Sequence, residues 1–163
     1  MNIPQPENSI PHLPVLYHEI IKALQPVSPQ RYVDATIGAG GHAKGILEHS
    51  SPAGQLLGLD IDPNALALSR KYLQIFERRT ILVQASYITL QEQIHKAGWE
   101  KVQGILLDLG ISSMQIDTPE RGFSFMHDGP LDMRFDSEGP ITAADLVNDL
   151  SYEQLSEILW KYG

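Results

Sequence analysis

Four short apolar runs, RYVDATI at 31–37, GQLLGLDI at 54–61, RTILVQA at 79–85 and VQGILLDLG at 102–110, alternate with three amphipathic stretches. No other feature of the chain limits its fold as much. Each run is apolar almost throughout, without in-out alternation, so both of its faces must be covered. Between the runs, HAKGILEHS (42–50), PNALALSRKYLQIF (63–76) and YITLQEQIHKAG (87–98) carry apolar residues at helical spacing, and Asp62 followed by Pro63 reads as an N-cap with proline at N1. Strands that alternate with helices in this way form a parallel sheet with helices on both faces, so the fold class is α/β. A further helix precedes the first strand, with Val15, Leu16, Ile20, Ile21 and Leu24 near one face and Pro26 as its stop.

Composition narrows the partners. The formal net charge of −8 provides no overall basic footprint for nucleic acid, so any RNA contact must come from a local patch. With no cysteine there are no disulfides, thiolate nucleophiles or Cys-type zinc sites, and no metal site is expected. The N-terminal MNIPQPENSIPHLP lacks the pattern of a signal peptide, and no window has the length of a membrane span. A cytoplasmic protein with no membrane partner is expected, with residues 1–14 as a proline-rich arm.

Gly38 to Ala43 match G-x-G-x-x-G/A directly after the first strand and directly before a helix, and Asp60 closes the second strand 20 residues past Gly40. Glycines let a ligand approach the backbone, and a carboxylate at that strand end can accept both ribose hydroxyls. The alternative is a purely structural turn. The motif alone does not separate a dinucleotide from S-adenosylmethionine. Asp34, just before the glycines, does: it would repel a pyrophosphate but suits an ammonium and a sulfonium. Asp108 ends the fourth strand, and a strand order of 3-2-1-4 brings it to the crevice beside the glycine turn. Tyr87, after the third strand, is placed to stack on adenine or simply to pack.

Beyond Gly110 the pattern changes to a long irregular segment, followed by helices capped at Thr142 and at Ser151, the latter with a capping box to Gln154. The fourth run is apolar enough to be central, yet it is the last strand in the chain. Further strands are therefore expected, with this chain as the N-terminal part of a longer protein.

Taken together, HLPVLYHEIIKAL, VDATIGAGGH, LGLDIDPNAL, GILLDLGISSMQID and RGFSFMHDGPLDMRFD resemble the bacterial 16S rRNA cytosine-N4 methyltransferase family, from His12 to the end of the chain. The resemblance implies a class I methyltransferase (Rossmann-like) parallel sheet over 15–110. It also implies that 111–163 are a loop and the beginning of a helical insertion on the substrate side. It further implies S-adenosylmethionine as cofactor, and a cytidine in the decoding region of 16S rRNA, within the small ribosomal subunit, as substrate. Carried over residue by residue, Gly40, Gly41 and His42 line the methionine side of the donor, Asp60 its ribose and Tyr87 its adenine, with Asp108 and Gln115 completing the site. The chain departs from the family in having Tyr87 where Phe is commoner, Phe135 where the family usually has Met, and a shorter length.

Methylating an exocyclic cytosine amine needs an acceptor that polarises the amine and holds it in line with the methyl group. The candidates are Asp108 and, on the later loop, Asp132, whose other reading is an acid paired with Arg134. Phe123 and Phe125 are candidates to stack on a base while Arg121 and Arg134 meet phosphates, or else the phenylalanines pin the loop to a core. Two other functions compete with the methyltransferase: a nicotinamide-dependent oxidoreductase and a non-catalytic donor-binding module.

Overall fold

A computed structural model describes residues 14–163, so the expected arm at 1–14 lies almost wholly outside the described residues. The chain divides into two compact units, one running to Asp108 and the other from Leu109 to Gly163.

In the first unit, α1 (Tyr17–Leu24) precedes β1 (Arg31–Asp34), α2 (Gly41–His49), β2 (Gln55–Asp60), α3 (Pro63–Tyr72), β3 (Thr80–Gln84), α4 (Leu90–Lys96) and β4 (Gly104–Leu106). The strands form one parallel sheet in the order β3-β2-β1-β4, as expected, with Val33 opposite both Leu57 and Ile105. Because side chains alternate along a strand, Tyr32 and Leu56 join Ile46, Leu47, Leu66 and Leu73 on one face, while Val33, Leu57 and Leu59 join Trp99 and α4 on the other. Each fully buried leucine contributes about 1.5–3 kcal/mol of transfer free energy. The two central strands are buried nearly end to end, whereas β3 is half-exposed, which is why the first two runs are so uniformly apolar.

The capping signals read from the sequence are present. Asp62 accepts the Asn64 N–H at 2.9 Å at the start of α3, which has proline at N1. Several boundaries differ from expectation. Val15 and Leu16, expected on the buried face of the first helix, precede α1 and are exposed, and the helix expected over 87–98 opens with a 3-10 turn at Tyr87–Thr89 before α4. The helix expected over 63–76 ends at Tyr72 and continues as 3-10 turns over Gln74–Arg79, and Arg79 there donates to the carbonyls of Leu47 and Gly54. β4 is three residues long instead of nine, because β1 turns away after Asp34 and the Asp108 N–H is taken by the Thr36 hydroxyl at 2.7 Å, outside any ladder.

The second unit holds α5 (Ser113–Asp117), a 3-10 turn at Pro119–Arg121, α6 (Ala143–Asp149) and α7 (Tyr152–Tyr162). Thr142 and Ser151 cap α6 and α7, each with a complete capping box. The unforeseen element is α5, which is capped by the same device: Ser112 accepts the Gln115 N–H and the Gln115 side chain accepts the Ser112 N–H. No helix among the described residues is long and apolar enough to cross a membrane.

Candidate functional site

The C-terminal edge of a parallel sheet is where open α/β folds leave a crevice. Here β1 and β2 end in carboxylates, Asp34 and Asp60, and Asp108 follows β4 by two residues. Asp34 is only 1% exposed, and its Oδ1 accepts the Thr36 N–H at 3.3 Å. Burial, reinforced by the nearby charges of Asp60 and Asp108, pushes its pKa up to about 7, with the Thr36 hydrogen bond opposing.

The glycine turn lies directly above. Gly40 has φ +89°, a left-handed conformation that favours glycine, and it forms the N-cap of α2. A Cβ on Gly41 would sit 2.4 Å from Cγ of Pro14, so the segment before α1 rests on the turn itself. Asp60 braces the turn from the other side. Its Oδ2 accepts the Gly38 N–H and its Oδ1 the Asp62 N–H, both at 2.9 Å. Each oxygen keeps a lone pair, so bracing the turn and accepting ribose hydroxyls are compatible roles.

His42, at the start of α2, is 6% exposed, and neither ring nitrogen has a hydrogen-bond partner. Its Nε2 lies 3.8 Å from Asp108 Oδ2, too far for a hydrogen bond, and its ring stacks on Tyr17 at 6.3 Å. Burial lowers its pKa and Asp108 opposes that, which leaves a neutral imidazole with one donor and one acceptor to offer. Buried polar atoms without partners are uncommon and call for an explanation. A polar ligand in the crevice would supply one. The Asp108 carboxylate itself is more than half exposed.

Tyr87 begins the 3-10 turn after β3 and is 48% exposed, so its ring is open to a ligand. Thr36 was not singled out from the sequence. Its N–H donates to Asp34 and its hydroxyl accepts the Asp108 N–H, coupling two of the three acids. No group of three or more His, Asp or Glu side chains among the described residues could hold a metal ion.

Gln115 and Asp132 belong to the second unit. The Gln115 carbonyl oxygen is engaged in the α5 capping box. Asp132 takes Arg134 Nε on both of its oxygens, at 3.0 and 3.1 Å, and the guanidinium holds its carboxyl below the usual range. Asp132 is thus the ion-paired loop acid of the alternative reading and a poor proton acceptor. Both loop arginines, the candidates to meet phosphates, make bonds within the unit. Arg121 donates to the carbonyls of Arg134 and Phe135, and Arg134 to Asp132 and the Gly139 carbonyl. Phe123 packs edge-on against Phe135 at 5.3 Å, while Phe125 is 97% exposed.

Among solved structures, that of a candidate rRNA-methylase from Clostridium thermocellum aligns with a TM-score of 0.50 at 23% identity, over 60% of this chain and 52% of that one, a likeness of fold. In sequence, a protein of Dehalococcoides mccartyi named ribosomal RNA small subunit methyltransferase H is 47% identical over 153 residues, 94% of this chain and 44% of the relative. A protein of the same name from Syntrophus aciditrophicus is 49% identical over 152 residues, 93% of this chain and 48% of the relative. The chain spans about half the length of these curated relatives. The model of one family matches residues 9–163, taking in the glycine turn, the three acids and the second unit, and the chain belongs to that family, the MraW methylases.

Proposed function

We propose that this chain is the donor-binding part of a cytoplasmic, S-adenosylmethionine-dependent methyltransferase that acts on N4 of a cytidine in the decoding region of 16S rRNA. The observation that carries the donor assignment is Asp34, a buried carboxylate beneath the glycine turn with Asp60 and Asp108 nearby. That crevice is hostile to a pyrophosphate and suited to a ligand bearing an ammonium and a sulfonium. The rRNA and N4 assignments rest on the family resemblance and on the names of the relatives.

In this reading the Gly40 and Gly41 backbone and the two unpartnered nitrogens of His42 hold the amino-acid end of the donor, Asp60 its ribose and Tyr87 its adenine. Gln115 joins them on the resemblance alone. The bound donor supplies a methyl group already activated on a sulfonium. The chain has to hold the amine and receive its proton. Asp108 is the acceptor for both, because its carboxylate is exposed while its backbone is fixed by Thr36. A weak base suffices, since the amine becomes acidic as it is alkylated. Asp132, committed to Arg134, has no part in proton transfer.

Titration calorimetry tests the donor assignment. S-adenosylmethionine is expected to bind saturably and NAD not to bind, and the reverse pattern would overturn the proposal in favour of an oxidoreductase. The competing reading is donor binding without catalysis. Methyl transfer to small-subunit RNA by this chain, compared with a C-terminally extended one, separates the two. Donor binding with little turnover is expected from the 163-residue chain.

A further inference from the structure

A histidine that offers one nitrogen to a ligand is ordinarily oriented by a hydrogen bond at the other. His42 lacks that support, since both of its ring nitrogens are buried and neither has a partner. Packing must hold the ring instead. Among the described residues the one ring that stacks on it is Tyr17, with centroids 6.3 Å apart and planes 12° from parallel. At that separation, near-parallel rings are in the offset arrangement that aromatic pairs prefer.

The sequence of α2 makes room for this contact. Glycine weakens a helix interior, yet α2 has one at position 45, three residues past His42 and therefore its neighbour on the helix surface. A Cβ there would lie 2.5 Å from the Tyr17 hydroxyl oxygen and 2.6 Å from Cε2 of the same ring. Gly45 is thus a seat for the tyrosine. Gly41, one turn earlier, takes Pro14 in the same way, so residues 14–17 lie along the start of α2. His18 meets the Tyr17 ring edge-on at 5.3 Å, and the ring also packs on the core cluster around Ile21 and Ile46. Tyr17 is anchored on several sides, whereas His42 is anchored by Tyr17.

The imidazole so held has its Nε2 3.8 Å from Asp108 Oδ2. A change of rotamer would give up the stack and carry Nε2 away from that carboxylate. We propose that Tyr17 is a positioning residue of the donor site, its ring keeping the His42 imidazole in the orientation that presents Nε2 to the crevice beside Asp108. This rests on the reading of His42 as a contact for the amino-acid end of S-adenosylmethionine. Without the stack the imidazole spreads over several rotamers, and donor affinity falls with the fraction that remains competent to bind.

The test is calorimetric titration of S-adenosylmethionine into the 163-residue chain and its variants. Tyr17→Ala is expected to weaken binding about 2- to 13-fold, the worth of an aromatic pair, with Tyr17→Phe restoring it because the ring makes the contact. Ile21→Ala removes a core side chain from the same helix, so it should lower Tm while leaving donor affinity unchanged. In a His42→Ala background, Tyr17→Ala should cost no further affinity. Gly45→Ala intrudes on the Tyr17 ring and should weaken binding by a route that does not depend on how well Tyr17→Ala folds. Parent affinity in Tyr17→Ala or in Gly45→Ala, an equal loss in Ile21→Ala, or an undiminished effect of Tyr17→Ala in the absence of His42 would each overturn the proposal and leave the donor assignment standing. A parent chain that does not bind S-adenosylmethionine would overturn the donor assignment itself, and this inference with it.

Discussion

Asp34→Asn isolates the group on which the donor assignment depends. The pKa of Asp34 rises from 3.8 to about 7 because the side chain is buried, so the folded state keeps its proton over roughly three pH units in which the unfolded chain has lost it. At 1.36 kcal/mol per unit this amounts to about 4 kcal/mol. The unfolded state binds fewer protons in that window, so this contribution makes stability fall as pH rises from about 4 to 7, with the full penalty present above 7. Asparagine is nearly isosteric, keeps an oxygen for the Thr36 N–H and cannot ionise. Relative to the parent, the variant should therefore gain up to about 4 kcal/mol between pH 4 and pH 8. Urea denaturation followed by the fluorescence of buried Trp99 measures it. If the two proteins follow parallel stability curves from pH 5 to 8, Asp34 is already ionised in the folded state and the reasoning fails.

The same residue couples ligand binding to protons. A cationic donor beside Asp34 requires the carboxylate, so binding should release close to one proton at pH 6 and almost none at pH 8. Calorimetry in buffers of different ionisation enthalpy reads that number directly. Asp34→Asn should release none and bind the donor roughly 10- to 150-fold more weakly, the range for losing a hydrogen bond to a charged group. Proton release that persists in the variant would assign it to another residue.

Three further outcomes follow from the geometry. Gly41→Ala should displace Pro14 and lower stability by about 1–3 kcal/mol, read as a fall in Tm, together with weakened donor binding. Asp62→Ala removes the α3 cap and should cost about 1 kcal/mol in urea titrations with no change in donor stoichiometry. Asp132→Asn removes the ion pair of Arg134 and leaves its bond to the Gly139 carbonyl, so trypsin should cut after Arg134 faster than in the parent while donor affinity stays unchanged; equal cleavage rates would show that the pair does not hold the loop.

What could be read from sequence here is what depends on neighbours along the chain. Apolar runs and cap residues are local patterns, so the four strands, their order and the Asp62, Thr142 and Ser151 caps could be anticipated. α5 was equally legible, since Ser112 and Gln115 repeat the spacing of Ser151 and Gln154, but glycines, prolines and charges on either side hid it. Which of two phenylalanines faces solvent, and whether Arg134 meets a phosphate or Asp132, depends on how a loop closes, and no periodicity encodes that. Thr36 shows the limit most clearly. Its hydroxyl accepts from a residue 72 positions away, and that bond exists only because β4 lies beside β1. Yet the bond ends the β4 ladder and fixes the backbone of Asp108, while the Thr36 N–H holds Asp34. The spacing of the two acids is therefore set by a side chain that carries no signature of its own. Thr36→Val, which keeps the shape and loses the hydroxyl, should loosen Asp108 without altering the burial of Asp34. Methyl-donor affinity and the proton-release profile would then separate, the first weakened and the second preserved, and a loss of both together would show that the acids act as one unit.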